Sequence, residues 1–250
     1  MSGHSKWANI KRRKGAEDAK RGKIFTKLGR DIMQAAREGG GDENSNARLK
    51  LAVLKAKENN MPKDNIERAI LRGTGKLEGA ELEEITYEGY GTDGIAFLVD
   101  VLTDNKNRAL GLIKNVFNKR GGSLASAGSV KFQFEQKGEI LLGEGSFDYD
   151  ELFMVAAEAG ADDVVDDGGT LVVYTPREAL AAVEDALRAA KYPVEEAEIK
   201  WFAKNETELP VDKALSNMRI QSDLEELDDV QAVAMNLALN DEIMEAFETA

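Results

Sequence analysis

Residues 139–202 read EILLGEGSFDYDELFMVAAEAGADDVVDDGGTLVVYTPREALAAVEDALRAAKYPVEEAEIKWF, and this stretch decides the fold class. Short apolar runs bounded by turn residues predict strands, and apolar residues at helical spacing predict the helices between them. The predicted strands are 139–142, 162–166, 170–174 and 194–202, and the predicted helices are 149–159 and 177–190. Asp167, Gly168 and Gly169 form the predicted hairpin turn. The order βαββαβ is that of the ferredoxin-like fold.

The flanking segments predict a second α/β unit, which the first one interrupts. Before it we expect strands at 84–88, 95–103 and 130–134 and a helix at 105–118, and after it a helix at 210–227 and a strand at 230–236. Leu110, Ile113 and Phe117 are predicted to face inward on the helix at 105–118. The C-terminal helix and strand supply the αβ that the N-terminal half lacks. We therefore expect an α/β domain at 80–135 plus 209–250, with a domain at 136–208 inserted in it.

Three helices are predicted ahead of this α/β region. They cover residues 15–38, 46–60 and 63–72, and glycines at 39–41 and 73 and Pro62 mark their ends. The head, as we call residues 1–79, is the third expected domain. The chain is thus predicted to be an α+β multi-domain protein, with a small N-terminal three-helix domain and two ferredoxin-like-type α/β domains.

Composition narrows the class of protein further. The 250 residues are 42% hydrophobic, which is enough for buried cores, and they include no cysteine. Cysteine-type zinc sites, disulfides and thiolate nucleophiles are therefore excluded, and a reducing compartment is favoured. Apolar runs such as 95–99 are too short to span a bilayer, and the basic N-terminus lacks the apolar core of a signal peptide. We expect a cytoplasmic protein that uses no cofactor, no membrane and no evident small-molecule substrate.

Charge separates into two blocks of opposite sign. Residues 1–76 hold 19 Lys and Arg against 9 Asp and Glu, a net charge of +10, and residues 77–250 hold 14 against 37, a net charge of −23. Clustered cations gain free energy by displacing counterions from phosphates, so a basic head on an acidic body predicts nucleic-acid binding. The structural alternative is a solvated basic helix that keeps the protein soluble.

Four basic residues of the first predicted helix form a surface that we call the stripe: Lys20, Lys23, Lys27 and Arg30. On the helix at 15–38, apolar side chains from Ile24 to Ala35 share one face, and the cations project from the opposite side. The arm at 2–14 adds five cations and one tryptophan, which could stack on an unpaired base. With two cations of the loop at 103–108, the predicted nucleic-acid-binding residues are Lys6, Trp7, Lys11, Arg12, Arg13, Lys14, Lys20, Lys23, Lys27, Arg30, Lys106 and Arg108.

Two polar loops have both a structural and a functional interpretation. The loop at 103–108, TDNKNR, joins a strand to a helix, and Asp104 or Asn105 can cap that helix. Its cations, rare in an acidic body, can instead contact phosphate. The loop at 119–123, KRGGS, ends the same helix, where cations complement the helix dipole. Capping is the simpler explanation of this second loop.

Several short motifs do not carry chemistry. GYGTDG at 89–94 fits a dinucleotide fingerprint, but a strand follows where a helix is needed, so we interpret it as a hairpin. GTGK at 73–76 lacks the first glycine of a phosphate-binding loop. The aspartates at 162, 163, 166 and 167 fit a soluble turn better than a metal site, and His4 offers only terminal copper or nickel chemistry. With no base, nucleophile or metal ligand set, we predict neither a catalytic residue nor a metal site, and no enzyme.

A series of blocks resembles the YebC-like family. The blocks are GHSKWANIK at 3–11, RGKIFTKL at 21–28, NMP at 60–62, NIERAI at 65–70, YEGY at 87–90, TDNKNR at 103–108 and LEELDDVQAV at 224–233. They follow one another over nearly the whole chain, although 231–236 lacks the aromatic residue often found there. The resemblance implies a helical N-terminal domain and two α/β domains. Family members are described as probable DNA-binding transcriptional regulators and include a mitochondrial translational activator, and bacterial members are linked to stalled ribosomes.

The sequence therefore predicts a non-enzymatic, nucleic-acid-binding regulator of gene expression, first of all a DNA-binding transcriptional regulator. An alternative is a ribosome-associated translation factor that binds ribosomal RNA, since an acidic body would be repelled from a long duplex but could meet basic ribosomal proteins. A second alternative, from a different class, is a protein adaptor that acts through its acidic domains.

Overall fold

The computed structural model describes residues 17–78, 81–143, 145, 147–167 and 170–249, with side chains from residue 22 onward except that of 167. The head contains α1 (Glu17–Gly39), α2 (Ala47–Glu58) and α3 (Lys63–Gly73), which confirms the three expected helices. Their apolar faces enclose one cluster around the fully buried Ile32 and Leu49.

Asn46 fixes the turn between the first two helices. Its Oδ1 accepts from the backbone N–H of Leu49 at 3.0 Å, as an N-cap residue does, and its Nδ2 donates to the carbonyls of Ala35 at 2.7 Å and Gly40 at 2.8 Å. A single buried amide therefore closes the end of α1 and starts α2.

The body carries two four-stranded sheets with helices packed on them. In chain order the elements are β1 (Glu83–Tyr90), β2 (Ala96–Thr103), α4 (Lys106–Lys119), β3 (Ser123–Leu124), β4 (Phe134–Leu142), α5 (Tyr149–Glu158), β5 (Asp163–Asp167), β6 (Thr170–Pro176), α6 (Leu180–Ala189), β7 (Val194–Ala203), α7 (Val211–Glu225), β8 (Val230–Met235) and α8 (Asp241–Thr249).

The second sheet has the strand order β5-β6-β4-β7, and every neighbouring pair is antiparallel. This is the ferredoxin-like order expected from βαββαβ. Leu152 of α5 and Val183 of α6 lie in one cluster with Ile140 and Val173 of the sheet, because alternate strand residues point to the helices. The sequence prediction for this part of the fold is confirmed.

The first sheet has the order β3-β1-β2-β8. β8 lies antiparallel to β2, so the C-terminal segment returns to the sheet that begins near residue 83. α4 and α7 cover the sheet over a core that includes Phe97, Phe117 and Met218. α8, which the sequence analysis did not assign, adds Ile243 and Met244 to the same core.

Two details differ from the sequence expectations. Residues Lys131–Gln133 form a 3₁₀ turn instead of the strand expected at 130–134, because the Glu88 carboxylate accepts the backbone N–H groups of Gly128, Val130 and Lys131 at 2.6–2.9 Å. On α4 the inward residues are Ala109, Ile113 and Phe117, which lie four apart, whereas Leu110 is 39% exposed. Leu110 is one residue, about 100°, away from that row.

The two sheets share a small apolar cluster. It brings together Leu98 of β2, Ala234 of β8 and Phe134 of β4, with Trp201 of β7 packed against it. The Trp201 Nε1–H donates to Asp100 Oδ2 at 2.8 Å. The predicted domain boundaries stay predictions: one α/β domain at 80–135 plus 209–250 and an inserted domain at 136–208. β4 begins at Phe134, two residues before the predicted start of the inserted domain.

The head and the body are joined by charge. All of the residues in the head's apolar cluster come from α1, α2, α3 and the segment between α2 and α3. Across the junction Arg48 pairs with Glu84, Lys55 pairs with Glu198, and Arg37 pairs with Glu81. An interface without a shared apolar core leaves relative motion of its two sides inexpensive.

We predict that Gly73 is needed for the packing of α3 on α1. A Cβ at this position would lie 2.2 Å from the Met33 carbonyl oxygen. Gly73→Ala should therefore lower the free energy of unfolding by about 1–3 kcal/mol. Gly111→Ala in α4, where a Cβ meets nothing within 4 Å, should instead raise it by roughly 0.5–1 kcal/mol. Urea denaturation measures both, and a Gly73→Ala protein as stable as the parent would contradict the close contact.

We also predict a pH dependence from Asp31. Burial raises the pKa of this carboxyl from 3.8 to about 6, against the opposing charges of Lys55 and Arg48. The native state therefore favours the protonated acid, so stability is lost as the pH rises from about 4 to above 6, by about 3 kcal/mol.

Asp31→Asn should consequently raise the free energy of unfolding at pH 8 more than at pH 4, as measured by urea denaturation at both pH values. A variant that is less stable than the parent at pH 8 would show instead that the ionised carboxylate stabilises the junction.

Candidate nucleic-acid interface

The predicted binding residues fall into two groups. The arm residues Lys6, Trp7, Lys11, Arg12, Arg13 and Lys14, and the side chain of Lys20, lie outside the described residues, and their roles stay predictions. Lys23, Lys27, Arg30, Lys106 and Arg108 are described.

The stripe on α1 faces the body of the same chain. Its partner is the acidic turn, residues 225–229, which joins α7 to β8. Lys23 Nζ contacts Glu226 Oε2 at 2.5 Å, and this hydrogen bond raises the pKa of Lys23. Lys27 Nζ donates to the Glu225 carbonyl at 2.8 Å. Successive turns of α1 therefore each meet an acceptor of the acidic turn.

Asp229 is the centre of this contact. Its carboxylate accepts from Arg30 Nη1 at 2.7 Å, and from Arg108 Nη2 at 2.9 Å and Nε at 3.2 Å. Arg30 Nη1 also donates to the Asp228 carbonyl at 2.7 Å. Asp229 is only 4% exposed, and both guanidinium groups compensate its buried charge. The structure thus brings the stripe and the loop at 103–108 together on one carboxylate.

The loop at 103–108 has the capping role that the sequence suggested. Asn105 is the N-cap of α4, and its Oδ1 accepts from the Arg108 backbone N–H at 3.0 Å. The Arg108 side chain also pairs with Asp104 at 2.6 Å and lowers the pKa of that carboxyl. Lys106 forms an exposed ion pair with Glu83.

The loop at 119–123 likewise ends α4. Arg120 occupies the C-cap position, Gly121 takes a φ of +79°, and Arg120 Nε pairs with Asp223 Oδ2 at 2.8 Å. This geometry agrees with the helix-stop interpretation.

Other cations of the head remain exposed. Lys50, Arg68, Arg72 and Lys76 make no ion pair with any part of the chain that the structure describes. Arg68 and Arg72 lie one helical turn apart on α3, away from the buried Ile66 and Ala69. These four cations are not among the residues predicted from the sequence, which lie on the arm, on α1 and in the loop at 103–108. The recurrence of a cation at 68, 72 and 76 is the signal that could have found them.

Two further observations concern metal ions and membranes. Among the described residues, no group of three or more His, Asp or Glu side chains is arranged to hold a metal ion. None of the helices described is both long and apolar enough to cross a membrane. The arrangement offers cations and hydrogen-bond donors, which suit oxyanions such as phosphates.

Comparisons with known proteins show which family the chain resembles over its length. Residues 5–76 match the model of the TACO1/YebC N-terminal domain, and residues 82–237 match that of the TACO1/YebC second and third domain. A probable transcriptional regulatory protein of Syntrophotalea carbinolica is 51% identical over 98% of each chain. One of Shewanella oneidensis is 50% identical over 98% of this chain and 99% of its own.

The crystal structure of a conserved hypothetical protein from Aquifex aeolicus has the same fold. Its TM-score is 0.84 at 41% identity, over 90% of this chain and 93% of that one. The matched models cover the head and both sheets, and the relatives are named as regulatory proteins. The chain belongs to the TACO1/YebC family.

Proposed function

We propose that this protein is a nucleic-acid-binding regulator of gene expression, and in the first place a DNA-binding transcriptional regulator, as its relatives are named. One observation carries the proposal. Cations from two distant parts of the chain, Arg30 of α1 and Arg108 of α4, point at a single oxyanion. Paired guanidinium groups in this arrangement are also suited to a phosphate.

The proposed contacts extend over the head. Lys6, Lys11, Arg12, Arg13 and Lys14 of the arm and Lys20 would bind phosphates, and Trp7 would stack on an unpaired base. Lys23, Lys27, Arg30, Lys106 and Arg108 would add contacts along the junction. The exposed Lys50, Arg68, Arg72 and Lys76 widen the same positive surface.

The identity of the nucleic acid divides the proposal in two. Contacts to phosphate position a protein but carry no sequence information, and sequence is read from base edges or DNA shape. The contacts that we propose for the cations of the head are contacts to phosphates. This favours modest sequence preference, which suits ribosomal RNA as well as DNA, and the ribosome-associated translation factor stays the alternative.

A protein adaptor is the second alternative, and one surface supports it. Residues 138–176 contain ten Asp and Glu and no Lys or Arg. Within this stretch α5 exposes Tyr149, Phe153 and Met154, which is 56% exposed, and the two rings stack at 6.4 Å. An acidic surface with an apolar centre fits a basic protein partner.

We predict that the arm carries a large part of the affinity. Changing Lys6, Lys11, Arg12 and Arg13 to Gln should weaken binding to duplex DNA or structured RNA, and should flatten the slope of log affinity against log salt by roughly 3–4. The control changes four exposed cations of the body, Lys114, Lys119, Lys191 and Arg219, to Gln. Equal slopes for the two variants would show that the arm makes no more phosphate contacts than the control cations, and that the arm is not part of the binding site.

The same proteins separate the three functions. A transcriptional regulator should prefer a promoter fragment over random DNA by about 10³-fold or more. A ribosome-associated translation factor should show a preference well below that ratio, and the parent protein should then pellet with ribosomes whereas a protein lacking residues 2–14 should not. A strong promoter preference without ribosome binding would favour the transcriptional regulator. If the protein bound neither DNA nor ribosomes at low salt, the protein adaptor would be the remaining candidate function.

A further inference from the structure

The acidic turn presents a row of acceptors to the stripe. Glu226 and Asp229 supply carboxylates, and the carbonyls of Glu225 and Asp228 accept from Lys27 and Arg30. These carbonyls lie at and just beyond the C-terminus of α7, where the helix dipole adds negative potential. The stripe is thus already bound to an anionic surface, and that surface belongs to the same chain.

The contact is graded along α1. At its N-terminal end, the side chains of Lys23 and Glu226 are 46% and 54% exposed, and such a pair exchanges readily with solvent and salt. At the other end, the side chains of Arg30 and Asp229 are 19% and 6% exposed. Separating that pair removes Arg30 from Asp229, which stays paired with Arg108 of the body, so Arg30 then requires a new anion. A polyanion that enters from Lys23 can therefore replace the acceptors of the turn one after another.

The junction permits this exchange. The head's apolar cluster is made of head residues alone, so opening the junction separates no shared core and uncovers only partly buried apolar side chains such as Leu51 and Leu54. The remaining connections across the junction include the partly exposed pairs Arg48–Glu84 and Lys55–Glu198, which also weaken in salt.

We propose that the acidic turn is an intramolecular competitor of nucleic acid: its acceptors, with the Asp229 carboxylate at Arg30, occupy the positions on Lys23, Lys27 and Arg30 that phosphates of a polynucleotide backbone would take. This inference rests on the proposed function. In the closed state the turn covers the stripe, and in the open state a phosphate replaces the Asp229 carboxylate at Arg30. The apparent affinity then depends on the fraction of molecules in which the turn has been released.

The test compares two charge-matched variants. Glu226→Gln with Asp228→Asn weakens the acidic turn at two exposed positions and leaves Asp229 in place. Glu242→Gln with Glu245→Gln, on exposed positions of α8, removes the same charge elsewhere. We expect the turn variant to bind a short duplex DNA and an RNA hairpin about tenfold more tightly than the α8 variant.

A third variant tests the central carboxylate. Asp229→Asn should increase the affinity further, and circular dichroism checks its fold. If the Asp229→Asn protein does not fold, the comparison of the turn variant with the α8 variant decides between competition and no competition. Equal affinities of the turn and α8 variants would overturn the competition, whereas the absence of binding by all proteins, the parent included, would overturn the proposed function.

Discussion

The Asp229 carboxylate between Arg30 and Arg108 is the contact on which the arrangement of the whole molecule depends. It joins the first helix of the head, the start of α4 and the beginning of β8, and the side chain is almost fully buried. Both guanidinium groups compensate this buried carboxylate, so losing either one would weaken the compensation of its charge. Through this one residue, the placement of the head is coupled to the first sheet of the body.

Opposite charge, and not a common core, attaches the head to the body. The net charge of +10 on residues 1–76 and of −23 on residues 77–250 allows many pairs across the junction, of which Arg48–Glu84 and Lys55–Glu198 are two. A basic surface that attracts nucleic acid attracts the body by the same physics. Intramolecular pairing and phosphate binding are therefore competing uses of the same cations, and salt weakens both.

The local spacing of apolar, capping and turn residues was enough to predict most of the fold from the sequence. The βαββαβ order and the three helices of the head follow from periodicity and from residues such as Asn46 and Gly73. The 3₁₀ turn at Lys131–Gln133 did not follow, because a side chain more than 40 residues away, Glu88, takes its N–H groups. The partner of the stripe was missed for the same reason: Arg30 and Asp229 are 199 residues apart, and helical spacing shows which way a cation points but not what it meets.

The most direct test is to fix the acidic turn to the stripe. The chain contains no cysteine, so Lys23→Cys with Glu226→Cys provides the only two thiols for a cleavable bis-maleimide cross-link. We expect the cross-linked protein to bind structured RNA and duplex DNA more weakly, and we expect cleavage of the linker to restore the affinity of the uncross-linked double variant. Equal affinity before and after cleavage would contradict the competition, because nucleic acid would then bind while the turn still covers the stripe.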